Sequence, residues 1–391
     1  MLNRWVTAIL GMALFSPQDP APLTVHDGKS LRAAVTEAKP GTRILLAPGE
    51  YPGGLSFSNL RGEPGRRVVI AAGDPRNPPV IKGGGSGFYL SNPSHLEIRD
   101  LVFTGAAVCA INIDDGGARE GPPPRDIVLH GLKTADTGSD GNHDGFKLSG
   151  LEDFRVEACT IERWGKRGEG IDMVGCHGGT IEGNVFRHDG HALVTGIQMK
   201  GGTSRMAVRR NRFDQVGGRG LNIGGNTGLE FFRPPLKEPP YSEAREILVE
   251  GNVFIGGTVP FAFPGTDGAT VRFNTVVHPK RWALRILQET REAGFVPSRN
   301  GTLTDNLFVF RSDDWSEGGV NLGDGVDAKS FRFERNWWYC ENDPARTKQL
   351  VRLPSEEVDG IYGRDPELRE GEATVRPDSP ASRVGSQALP R

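Results

Sequence analysis

IEGNVF, residues 181–186, is the stretch on which the reading of this chain turns. It returns as VRRNRF (208–213), VEGNVF (249–254), VRFNTV (271–276), LTDNLF (303–308) and FERNWW (333–338). Asparagine holds one slot in every copy: Asn184, Asn211, Asn252, Asn274, Asn306 and Asn336. Strands are normally poor in Asn, so its return in a β-rich phrase marks a bend. Asn tolerates left-handed backbone angles, and its amide can bond an equivalent amide in the turn above and below. Two earlier phrases, VEACTI (156–161) and IVLHGL (127–132), put Cys159 and His130 in the same slot.

A second phrase alternates with the first: NHDGFKLSG (142–150), GEGIDMVG (168–175), VTGIQMKGG (194–202) and GRGLNIGG (218–225). Each has a glycine, then an apolar, a polar and a second apolar residue. Period-two alternation places Phe146, Ile171, Ile197 and Leu221 inward and the residue between outward. Phe261-Ala262-Phe263, Leu284-Arg285-Ile286 and Val320-Asn321-Leu322 extend the series. The outward column therefore reads Lys147, Asp172, Gln198, Asn222, Ala262, Arg285, Asn321. Two phrases repeating together predict an all-β coil of about ten stacked turns, each strand pairing with its copy in the next. The gap from Asn211 to Asn252 is the longest and carries the insertion GGNTGLEFFRPPLKEPPYSEA (224–244).

Composition agrees. The chain has 391 residues with 54 Gly, 28 Pro and 36% hydrophobic residues, which suits a turn-dense β protein. Forty-seven basic against 49 acidic residues give a net charge of −2 with no polybasic run, so nothing favours a nucleic-acid partner. Residues 1–18 read as a secretory signal: an apolar run over Trp5–Phe15, too short to span a bilayer, then a Pro-rich break. The expectation is a secreted or periplasmic protein, a monomer, with no other membrane segment. The four cysteines lack metal-ligand spacing and are expected as buried free thiols, although four can pair in three ways. His188 and His191 form an H-x-x-H off any helix, a poor metal signal, so neither metal nor cofactor is expected.

Residues 24–340 resemble the right-handed parallel β-helix proteins of the pectin-lyase-like superfamily. The entry DGKSLRAAVTEAKPGTRILLAPGEY (27–51) is similar to the usual start of those proteins. Ser30 is placed to N-cap a short helix whose apolar face (Leu31, Ala34, Val35, Ala38) would plug the open end. The coil is expected over 19–340, and the charged, Pro-rich segment 341–391 as a tail on it.

The resemblance implies a carbohydrate-active protein, and two patterns compete. GIQMKGGTSRMAVRRNRF (196–213) is similar to the chondroitinase B and alginate lyase type, whose catalytic Lys falls on Lys200. That family's Arg corresponds to Gly224 and its Glu-x-Glu calcium site to Leu193-Val194-Thr195, so Arg219 or Arg285 would have to stand in for the Arg. NHDGFKL resembles the first motif of polygalacturonase-type hydrolases, with Asp144 on its Asp and Glu169 on the next; Arg219 stands where that family has His. Asp144 and Glu169 are thus the rival acid/base pair. Lys147, Asp172, Gln198, Asn222 and Asn321 would line the groove. Phe231, Phe232, Arg233 and Tyr241 of the insertion would lie beside it, rings for sugar faces and Arg for a carboxylate. A uronate-polysaccharide lyase is the first expectation; a β-helix glycoside hydrolase and a non-catalytic glycan-binding β-helix are the alternatives.

Overall fold

A computed structural model describes residues 20–118, 120–369 and 372–389; the expected signal segment lies outside them. Short parallel strands stack into three sheets of 13, 12 and 10 strands, and no two consecutive strands of the chain are neighbours beyond the first pair. This is a parallel β-helix. Its turns exceed the expected ten in two of the three sheets, because that figure extrapolated the repeat length between His130 and Asn336. Among the described residues no helix is long and apolar enough to cross a membrane.

The asparagine column forms as expected and is buried throughout. Nδ2 of Asn184, Asn211, Asn252, Asn274 and Asn306 each donates to Oδ1 of the next, at 2.8–3.0 Å. Asn336 ends the row by donating to Glu357 Oε1 at 2.8 Å. Cys159 belongs to the same column, its N–H donating to Asn184 Oδ1 at 2.8 Å. His130 does not. Leu129 pairs with Val156, which puts Leu132, three residues further on, level with Cys159. The left-handed residue is also not the Asn but the one before it: Gly183, Arg210, Gly251, Phe273, Asp305 and Arg335 all have φ between 52° and 67°. The corner residue turns the chain, and the Asn satisfies the backbone groups that the turn leaves open.

Inside the coil, like stacks on like. Phe186, Phe213 and Phe254 lie ring over ring at 4.7 and 4.6 Å, close to the rung spacing. The same stack explains the glycine that opens the outward phrases from Gly170 onward. A Cβ on Gly170 would meet Gly196 O at 2.7 Å and the Phe186 ring at 2.8 Å, and one on Gly196 would meet Gly220 O at 2.5 Å and Phe213 at 2.8 Å. Only glycine lets the sheet close over that aromatic column.

At the N-terminal side, a helix over Gly28–Thr36 buries Leu31, Ala34 and Val35 against the core. Its N-cap is Asp27, with Ser30 three residues on completing a capping box, so the cap sits earlier than expected. At the other side the coil passes the expected boundary at 340. Glu357–Val358 and Ile361–Tyr362 extend two of the sheets. The tail beyond packs Val375, Ala381 and Val384 on Leu307 and Trp337. All four cysteines are buried and free.

Candidate active site

The ten-stranded sheet carries the outward column in the expected register. Lys147 pairs with Asp172, Asp172 with Gln198, Gln198 with Asn222, Asn222 with Ala262, Ala262 with Arg285 and Arg285 with Asn321. Facing out of the coil is not the same as facing solvent. Asp172, Gln198 and Asn222 are all buried. Asn222 Nδ2 donates to Gln198 Oε1 at 2.9 Å, so these two amides brace each other and do not form an open groove floor.

Asp172 is the centre of the site. Lys147 and Lys200, one rung before and one rung after, both converge on its carboxylate. Lys147 hydrogen-bonds to Oδ2, and Lys200 Nζ lies 3.3 Å from Oδ1, an ion pair without hydrogen-bond geometry. Burial opposes ionisation of Asp172, but the Lys200 and Lys147 ammonium groups overcome it and hold its carboxyl below the usual range. For Lys147, burial is outweighed by Asp172 and then Asp144, which favour its charged form strongly. Lys147 also lies 3.5 Å from Asp144 Oδ2.

Asp144 and Glu169 come together at successive corners, where the backbone N–H of Glu169 donates to Asp144 Oδ1 at 3.0 Å. Both carboxyls are pushed up, by burial first and then by the charge of Asp172. The shift in Glu169 is the larger, and its Oε2 is buried without a hydrogen-bond partner. One oxygen each from Asp144, Glu169 and Asp172 lies within 4.8 Å of the others. Three hard carboxylate donors, with Glu169 Oε2 and Asp172 Oδ1 lacking a hydrogen-bond partner, fit a hard divalent cation, although the sequence leads to the expectation of no metal. The Leu193-Val194-Thr195 position offers no carboxylate and does not fit one.

Lys147, Asp172 and Lys200 open onto a cleft of about 320 Å³ whose other wall is Asn226, Thr227, Gly228, Phe231 and Arg233 of the insertion. Phe231 is 54% exposed, the most exposed ring of the insertion's aromatic group. Phe232, expected beside the groove, is buried edge-on against Phe295 at 5.4 Å, and Tyr241 packs on the same ring. Arg233 is a strut. Its Nε and Nη2 donate to Asp115 Oδ2 and Oδ1 at 2.5 and 3.2 Å, and its carbonyl contacts His177 Nε2 at 2.9 Å. A guanidinium so committed pins the roof to an earlier rung and is not free to clamp a substrate.

Glu243 went unnoticed in the sequence. It is fully buried, and its carboxylate accepts from Gly201 N, Thr227 N, Thr227 Oγ1 and Thr290 Oγ1 at 2.5–2.9 Å. It thereby ties the turn after Lys200 to both flanking segments of the roof. No local motif signals such a residue. Arg219 and Arg285 are not at Asp172. Arg219 donates to Asn222 Oδ1 and Glu289 Oε1, at 2.7 and 2.8 Å, and Arg285 Nε to Asn321 Oδ1 at 2.8 Å.

Residues 80–233 match the family model described as right handed beta helix region, which agrees with the coil observed and gives its hand. The chain is similar in structure to an alginate lyase from Paenibacillus sp. str. FPU-7, with a TM-score of 0.52 and 20% identity over 78% of this chain and 99% of that one. A polysaccharide lyase of the PL6 family from Pseudopedobacter saltans gives a TM-score of 0.55 and 13% identity, over 93% and 99% of the two chains. A lacto-N-biosidase from Eubacterium ramulus gives 0.55 and 12%, over 87% and 68%. No curated protein matches the sequence. The fold is a right-handed parallel β-helix, shared at these identities by enzymes of different chemistry.

Proposed function

We propose that the protein is an exported polysaccharide lyase that cleaves a uronate-containing chain by β-elimination. The observation that carries this reading is the convergence of Lys147 and Lys200 on buried Asp172 at the floor of the Phe231-roofed cleft. Such a reaction needs a cation for the uronate carboxylate and a base for the α-proton. Lys147, whose charge Asp172 and Asp144 secure, supplies the first. Lys200 supplies the second: an ammonium paired with Asp172 in the resting site, it first gives a proton to solvent and then reacts as the free amine. It takes the proton from the carbon beside the carboxylate. The released electron pair forms a double bond to the β-carbon, the glycosidic C–O bond breaks, and the leaving oxygen takes a proton from water. Phe231 lies where a sugar face can stack. A divalent cation held by Asp144, Glu169 and Asp172 would supply further positive charge for the carboxylate.

The hydrolase reading fits the site less well. Two catalytic carboxyls must flank a glycosidic bond, whereas Asp144 and Glu169 are buried and bonded along one corner. Digestion of a panel of acidic and neutral polysaccharides separates the possibilities. An unsaturated product that absorbs in the ultraviolet supports the lyase; a new reducing end alone means a hydrolase; binding without product means neither. Lys200→Ala should lower turnover about 10²–10⁴-fold, the usual worth of a general base. Full activity in Lys200→Ala with loss in Asp144→Asn would replace the lyase by the hydrolase. Intact Met1 on protein from its native host would refute export.

A further inference from the structure

Two arginines of the same sheet, Arg219 two rungs and Arg285 four rungs beyond Asp172, gather with Arg281 from the bend before the Arg285 strand. Arg219 and Arg285 line a second cleft of about 250 Å³, together with Leu193, Thr195 and Val259. Arg281 and Arg285 both lie over the Trp282 ring, their guanidinium carbons 4.2 and 4.9 Å from its centroid. The charges facing Arg285 are Arg219 and Arg281 against Glu289 and Glu317. Of the nitrogens of Arg285 only Nε has a hydrogen bond among the described residues, to Asn321. The terminal nitrogens, which grip a carboxylate in forked fashion, make no hydrogen bond among the described residues. Burial and then the neighbouring Arg219 disfavour the charge on Arg285, a cost that an incoming anion would relieve.

The placement of this cleft matters as much as its charge. Lys200 follows Gln198 on one rung, and the register then runs through Asn222 and Ala262 to Arg285. Three rungs separate the Lys200 and Arg285 strands, about 14 Å at the strand spacing of a sheet. One rung is close to the advance of one sugar in an extended pyranose chain. A polymer lying along the coil from the Lys200 cleft would therefore present its third sugar beyond the cleaved bond to Arg285.

Building on the lyase reading, we infer that the Arg219–Arg285 cleft is a distal subsite that binds the carboxylate, or sulfate, of an acidic sugar about three residues from the cleaved bond. The substrate is then a run of acidic sugars and not an isolated uronate in a neutral chain. Arg285 makes the contact, Trp282 and Arg281 support it from behind, and Arg219, held by Asn222 and Glu289, sets the wall. On this reading Arg219 and Arg285 are binding and positioning residues and not groups at the reacting centre.

The test uses full-length protein and oligouronates of increasing length. Binding is measured by calorimetry to Lys200→Ala protein, so that the result stands whether or not the chain turns substrate over. Affinity should rise about tenfold or more once the oligomer is long enough to span three rungs, and Arg285→Ala added to Lys200→Ala should abolish that rise. Arg285→Gln, which keeps a donor for Asn321, guards against a folding defect and should behave alike. In the active protein the loss should fall on KM for long substrates. Unchanged length dependence in both Arg285 variants, or no binding of any acidic oligomer, would overturn the subsite. Absence of unsaturated product from wild type with length-dependent binding intact would overturn the lyase alone.

Discussion

The backbone N–H of Glu169 donates to Oδ1 of Asp144 at 3.0 Å, locking two acidic side chains on successive rungs into one buried corner. Asp172 adds its negative charge to both. An acid whose proton is held more tightly in the folded than in the unfolded chain contributes most below its ordinary pKa. That contribution is lost as pH rises through the folded value. Glu169→Gln should therefore melt much like wild type near about pH 4, where both states carry the proton. Near neutrality and above, the variant should melt higher, by about 1–3 °C for a chain of this size. Scanning calorimetry across that range checks it; a variant that melts lower at neutral pH would show that the Glu169 carboxylate is well paired after all.

Asp172 behaves in the opposite sense. Its carboxyl is held low by Lys200 and Lys147 against the effect of burial, so its contribution is present above the ordinary carboxylate range and lost as pH falls through the folded value. Asp172→Asn leaves two ammonium groups without their shared partner. Both lysines keep some exposure, 35% and 18%, so the cost is about 1–3 kcal/mol, below that of breaking a fully buried pair. Denaturation at neutral pH and at about pH 3 should show the difference shrinking in acid.

Removing one amide from the middle of the ladder should cost more than any surface change. Asn252 accepts from Asn211 N and Nδ2 and donates to Val208 O and Asn274 Oδ1. Asn252→Ala orphans several of these groups at once, for about 2–5 kcal/mol. Chemical denaturation measures it, and a loss under about 1 kcal/mol would mean that water fills the gap.

The Arg233–Asp115 pair predicts a kinetic effect. Arg233→Ala frees the roof from the earlier rung and should raise KM several-fold while leaving the melting temperature within a few degrees, since the coil's core is untouched. An unchanged KM would show that Phe231 is held in place without this strut.

Much of this is legible in the sequence. Alternation gave the Lys147–Asn321 column in correct register, because a one-residue slip would turn every inward side chain out. The ladder was legible from Asn184 onward, where the repeated residue is polar and conspicuous. It breaks off before Cys159, because the occupant of the slot there is Leu132, one apolar residue among many, while the polar residue of that phrase is His130. The burial of Gln198, Asn222 and Phe232 was not legible. It depends on the insertion and its flanking segments folding back over the sheet, and those stretches have no period. Glu243 stayed hidden for the same reason, since its partners come from three separated segments.

The ladder's terminus has a consequence of its own. Every amide in it points its NH₂ the same way, so the column is polarised, with its donor end facing Glu357. That carboxylate accepts from both nitrogens of Asn336, and its other oxygen accepts from Trp338 Nε1 at 2.8 Å and from the Tyr362 hydroxyl. The column is thus modular in one direction and closed in the other. A turn bearing Asn can be spliced in or cut out wherever donor meets acceptor, but the piece containing Glu357 has no acceptor to offer in a further copy's place. An engineer lengthening this coil would have to insert before residue 336 and carry the stopper along unchanged.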